Sequence, residues 1–136
     1  MLFKDRSDAG RQLVPLLQSY KEQENTLVLG LARGGVVTAF EIAKALNLPL
    51  GIVVVRKVGA PGNEELALGA VTEKGEGIFN DHLITLLGVS KDYLKRQIEK
   101  EKQVAKMRLE LYLGKRPLPS VKGKTVILVD DGIATG

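Results

Sequence analysis

Two adjacent carboxylates, Asp130 and Asp131, end an unbroken aliphatic run, Val126-Ile127-Leu128-Val129, and lead into Gly132, Ile133, Ala134, Thr135 and Gly136. Such a run suits a strand buried on both faces of a parallel sheet. Polar groups at the carboxyl end of that strand lie where open α/β sheets bind their ligands. A loop of small residues with one hydroxyl can turn its backbone N–H groups inward around a phosphate. The plainer reading is a buried strand closing in an acidic turn, with Asp131 forming an Asx turn onto Gly132. Turn chemistry, however, requires neither the paired acids nor the closing Thr-Gly.

Two basic clusters could serve the same ligand. Thr26 to Leu31 reads as a short strand running into Ala32-Arg33-Gly34-Gly35, after which Val36, Val37, Phe40, Ile42, Ala43 and Leu46 recur at helical spacing. Strand, glycine turn and helix present free N–H groups to an anion, and Arg33 adds a bidentate donor. A helix start with a solvated arginine is the bland alternative. Further on, Arg56 and Lys57 close a second apolar run, Leu50 to Val55, and precede Val-Gly-Ala-Pro-Gly-Asn-Glu-Glu. Residues 58 to 65 are dense in turn formers and read as a mobile loop rooted in two cations, which could equally be surface charges.

The elements around these residues follow from periodicity. Ala9, Leu13, Leu16, Leu17 and Tyr20 mark a helix over residues 7 to 21 whose interior Pro15 should kink it or delay its start. Thr26 to Val55 forms a βαβ unit, with Asn47-Leu48-Pro49 ending its helix. Residues 66 to 71 and 78 to 79 suit the arms of a hairpin. Asp81 to Leu87 suits a short helix, capped by Asn80 or Asp81, and places His82 in a capping or surface position. From Ser90 a long charged helix carries Leu94, Ile98, Ala105, Leu109 and Tyr112 on one stripe, with Gly114 as its C-cap. Its charges read as a solvated face, and Glu101 and Lys102 interrupt the apolar seam that a coiled coil would need. The sum is an α/β fold: a Rossmann-like, mainly parallel sheet flanked by helices, with a hairpin, a flexible loop and one long charged helix, in a single domain over 1–136.

Composition narrows the chemistry. The 136 residues include no cysteine and one histidine, and carry a formal net charge of +4. Disulfides, thiolate metal sites and histidine clusters are excluded, and a reducing cytosol is the default compartment. No apolar run approaches the roughly 20 residues of a membrane span. The charge is too diffuse to argue for nucleic acid.

The stretch Val126 to Gly136, together with Leu-Ala-Arg-Gly-Gly and Val-Arg-Lys-Val-Gly-Ala-Pro-Gly-Asn, resembles the type I phosphoribosyltransferases, in particular predicted members without an assigned substrate. The resemblance implies transfer of a 5-phosphoribosyl group from phosphoribosyl pyrophosphate (PRPP) to an unidentified nitrogenous base. It implies that Asp130 and Asp131 hold the ribose hydroxyls, directly or through Mg²⁺, and that Gly132, Ile133, Ala134, Thr135 and Gly136 cradle the 5′-phosphate. Arg33, Gly34, Arg56 and Lys57 would take the pyrophosphate, and Asp130, Asp131 and Lys57 the catalytic roles. Ala134 stands where some purine transferases carry an acid, which argues against a purine-salvage role of that kind. Family likeness further implies a homodimer, and more fold after Gly136, either in a longer chain or from a second one. A PRPP- or nucleotide-sensing regulator without catalysis is the competing class; it would need the phosphate cradle but no basic lid.

Overall fold

The computed structural model describes residues 2–114, 116 and 118–133. The chain falls into two compact units, Met1–Val53 with Arg116–Gly136, and Val54–Lys115. No helix among the described residues is long and apolar enough to cross a membrane.

The first unit opens on α1 (Arg6–Leu13), capped where the Asp8 N–H donates to Asp5 Oδ1 at 2.8 Å. Pro15 changes the helix type rather than kinking it: a 3₁₀ segment runs over Val14–Tyr20 with the proline in its first turn. Missing one donor is least costly at a helix start, which is where the change of helix type puts Pro15. Strand β1 (Thr26–Leu31) passes into helix α2 (Gly34–Leu46), which Asn47 ends in the left-handed region at φ 52°. Strand β2 (Leu50–Val53) returns parallel to β1, completing the expected βαβ unit, though it stops two residues before the sequence suggests.

The buried face of α2 comprises Gly35, Thr38, Ala39, Ile42, Ala43 and Leu46, a three- and four-residue spacing that turns Val37 and Phe40 outward. Reading all the apolar residues of α2 as one stripe is therefore corrected, because at 100° per residue 37 and 40 lie off that face. Val28, Leu48 and Val129 join this face in the core, with Leu13, Leu17 and Tyr20 packed against it. Full burial of aliphatic side chains such as Ile42 and Leu46 contributes roughly 1.5–3 kcal/mol each.

Strand β6 (Thr125–Val129) pairs parallel to β1 on the side away from β2, giving the order β2-β1-β6. The expectation that it is buried on both faces is not met. Val129 is buried, but Leu128 is 61 % exposed and Val126 is also exposed. Among the described residues β6 is an edge, so only β1, between two neighbours, is covered along nearly its whole length.

The second unit is a three-stranded antiparallel sheet, β3 (Arg56–Ala60), β4 (Asn63–Val71) and β5 (Gly77–Phe79), with helices α3 (Asp81–Leu86) and α4 (Lys91–Leu113). Here residues 58 to 65, read as a loop, form a hairpin. Val58 and Ala60 alternate inward, and Ala60 pairs with Asn63 across a two-residue turn in which Gly62 has φ 73°. Pro61 with Gly62 is a turn pair, and what resembled flexibility in composition is a tight chain reversal. The β4–β5 hairpin, the Asn80 cap on α3 and the Gly114 C-cap on α4 agree with the sequence reading.

Candidate functional site

Because β1 and β6 run parallel with Gly30 opposite Val129, their carboxyl ends finish side by side. From the first the chain enters Arg33 and α2; from the second it enters Asp130 and Asp131. Gly34 and Gly35 let these two exits touch. A Cβ on Gly35 would lie 2.5 Å from the Val129 carbonyl oxygen and 2.9 Å from Asp130 Cα, and one on Gly34 would overlap the Asp131 carboxylate. The start of α2 therefore lies against the acids, and glycine is required there for close approach.

Arg33, exposed at the N-cap position of α2, supplies no side-chain hydrogen bond to the helix. The first turn of α2 also carries no acidic residue. Free N–H groups, the positive end of the helix dipole and a guanidinium thus share one place, a combination suited to an anion.

Asp131 is held by a residue the sequence analysis does not single out. Arg6 donates to Asp131 Oδ2 from Nε at 3.2 Å and from Nη2 at 2.8 Å. That hydrogen-bonded guanidinium keeps the Asp131 carboxyl below the usual carboxylate range. Arg6 is set in place by being the first residue of α1 after the Asp5 cap, and by its own carbonyl, which accepts from Thr38 Oγ1 at 3.2 Å. Nearby, Asp8 accepts from the Lys4 N–H and the Gln12 amide, which lower its carboxyl likewise and pin the chain before α1. Asp130 Oδ1 accepts from the adjacent Asp131 N–H at 2.8 Å, a contact that fixes the first acid without closing an Asx turn.

The acids adjoin two hollows. One, about 360 Å³, is lined by Phe3, Asp5, Arg6, Ala9, Leu13 and Thr38 with both acids. The other, about 560 Å³ and largely apolar, runs along Leu17, Ile127 and Val129 to Gly132 and Ile133. Asp130, Asp131, Arg33 and Gly34 are thus brought together within the first unit. Gly132 and Ile133 follow, exposed; Ala134, Thr135 and Gly136 lie outside the described residues.

Arg56 and Lys57 lie on β3 in the second unit, and both have partners there. Arg56 Nε donates to Glu101 Oε2 at 2.8 Å, and Lys57 Nζ is 3.6 Å from Glu65. Glu101 is buried in α4 alongside Ala105 and Leu109, which corrects its reading as an interruption on a solvated face. The arginine opposite makes its burial tolerable. Because the pair is only partly exposed, at 30 % and 12 %, Glu101→Ala is expected to cost about 1–3 kcal/mol. Replacing both partners, Arg56→Met with Glu101→Leu, should recover most of that loss. Urea midpoints of the three variants check this, and a single variant as stable as the parent would refute it.

As cation ligands, Asp130 and Asp131 offer hard carboxylate oxygens. No group of three or more acids, histidines or cysteines with metal-binding geometry occurs among the described residues. A pair nevertheless suits Mg²⁺, which commonly takes one or two carboxylates and completes its shell with waters and substrate phosphates.

Residues 8–136 match the phosphoribosyl transferase domain family. Proteins from two strains of Mycobacterium tuberculosis, CDC 1551 and H37Rv, named on a provisional basis as phosphoribosyl transferases, are each 42% identical over 137 residues. The match covers 99% of this chain and 30% of each of those. Among solved structures, that of TT1426 from Thermus thermophilus is similar with a TM-score of 0.82 and 46% identity, covering 100% of this chain and 64% of that one. The chain therefore spans under a third of the curated relatives' length and just under two-thirds of the solved neighbour's.

Proposed function

The chain belongs to the phosphoribosyl transferase domain family, and from that premise we propose that it transfers the 5-phosphoribosyl group of PRPP to a nitrogenous base. The observation that carries this reading is the meeting of the paired acids with the start of α2, where Gly34 lies against Asp131 and Arg33 faces solvent. In the reaction the bond from the anomeric carbon to pyrophosphate breaks and a bond to the base nitrogen forms. The electron pair leaves with pyrophosphate, and the base nitrogen gives up its proton.

Asp130 and Asp131 would accept from the ribose hydroxyls and stabilise positive charge developing on the sugar. The backbone from Gly132 to Gly136 and the Thr135 hydroxyl would hold the 5′-phosphate. Arg33 and the Gly34 N–H would receive the pyrophosphate, with Lys57 and Arg56 assisting its departure. Asp130 and Asp131 would also hold Mg²⁺, which when bound supplies charge neutralisation of the diphosphate.

A second reading, a PRPP- or nucleotide-sensing module, gains support from the Arg56–Glu101 and Lys57–Glu65 pairs, because both cations assigned to the leaving group already have partners within the fold. Pyrophosphate release from PRPP and Mg²⁺, measured across a panel of nucleobases, separates the two. Release with at least one acceptor is expected. PRPP binding without release in any mixture would favour the sensor, and no binding at all would remove both.

A further inference from the structure

Resting on the reading of Asp130 and Asp131 as the ribose-binding acids, we infer that Arg6 is a positioning residue that divides their labour. It fixes Asp131 by one oxygen, so that Asp131 presents Oδ1 to the ribose and the larger share in holding the cation falls to Asp130. The two donors of Arg6 converge on Oδ2 alone. The same oxygen also faces Gly34, where even a methyl group would overlap the carboxylate and approach Arg6 Nε. Fork and backbone thus both crowd Oδ2, and the remaining acceptor of Asp131 is Oδ1.

Asp130 is tied differently. Its Oδ1 takes the neighbouring N–H and its Oδ2 has no protein partner among the described residues, nor does a cation pair with it there. A metal ion approaching Asp131 would meet the guanidinium at close range, and like charges a few ångströms apart repel even at a protein surface. Asp130 shares the hollow with Arg6 but forms no ion pair with it among the described residues, so a cation there meets the guanidinium at longer range.

The backbone at Arg6 is seated by the Asp5 cap and by the Thr38 hydroxyl on its carbonyl, which fixes where its side chain starts. Substrate entering the hollow lined by Phe3, Arg6 and Thr38 would therefore meet an Asp131 already aimed.

Calorimetric titration of PRPP, with and without Mg²⁺, into wild type, Arg6→Gln, Asp130→Asn, Asp131→Asn and the double variant of Arg6→Gln with Asp131→Asn tests the assignment. Arg6→Gln is expected to weaken PRPP by about fivefold, the scale of an exposed ion pair, and to keep the enhancement by Mg²⁺, which Asp130→Asn should lose. The double variant should bind within about twofold of the weaker single variant, since residues acting through one contact do not add. Additive losses, or an Arg6→Gln affinity within twofold of wild type, would overturn the inference while leaving the proposed function standing. Absence of PRPP binding by the wild type would overturn both. Should Arg6→Gln not fold, Arg6→Lys keeps the stem and charge but not the fork; intermediate affinity is expected, and wild-type affinity would overturn the assignment.

Discussion

Replacing both acids, Asp130→Asn with Asp131→Asn, is expected to reduce Mg²⁺-dependent PRPP binding by about 10²–10⁴-fold while the protein stays folded. The magnitude follows from two hydrogen bonds to charged groups, each worth about 1.5–3 kcal/mol, at about 1.4 kcal/mol per tenfold. Folding should survive because the Arg6–Asp131 pair is a surface one, with side chains 57 % and 39 % exposed, and exposed ion pairs add little to stability. A melting curve displaced by no more than a few degrees, beside a calorimetric titration with no measurable heat, is the expected combination. An unchanged affinity would mean that the acids do not grip the sugar.

Gly35→Ala is expected to have the largest effect on the fold. The new methyl would lie 2.5 Å from the Val129 carbonyl oxygen and 2.9 Å from Asp130 Cα. Both are backbone atoms of a strand end, so neither can rotate away. Overpacking of this kind costs about 1–3 kcal/mol or more, whereas alanine's advantage over glycine in a helix returns at most about 1 kcal/mol. The steric term wins, and a net loss of about 2 kcal/mol is expected in the urea midpoint. PRPP affinity should fall with it, as α2 is pushed off the end of β6. Gly34→Ala is the informative contrast: its methyl would strike the Asp131 carboxylate and Arg6 Nε, the ends of movable side chains. It should cost less stability and disturb the ion pair more. A Gly35→Ala protein more stable than the parent would refute the close-approach argument.

Much of the first unit was legible because its signals are local. The aliphatic runs of β1 and β6, the helical spacing in α2 and the turn chemistry of Asn47 each depend on residues within a few positions of one another. The same holds for the Ser90 cap of α4, whose hydroxyl accepts from the Tyr93 N–H. The convergence of Asp130, Asp131, Arg33 and Gly34 could be anticipated too, since parallel strands deliver their following loops to one edge of the sheet.

Other features depended on partners that composition cannot name. Residues 58 to 65 have loop-like glycine and proline, yet they fold as a hairpin because Val58 and Ala60 find an interior to enter. Glu101 could be seen as buried only once Arg56, 45 positions earlier, was found opposite it. Arg6 carried no signal at all, lying 125 positions from the acid it holds. By itself, then, the sequence determined most of the segments that form helices and strands and which residue types could meet a sugar phosphate, because those properties are set by neighbours along the chain. Tertiary structure alone decided which cation holds which carboxylate, and which face of a strand is covered, because these depend on distances between residues that only folding brings together.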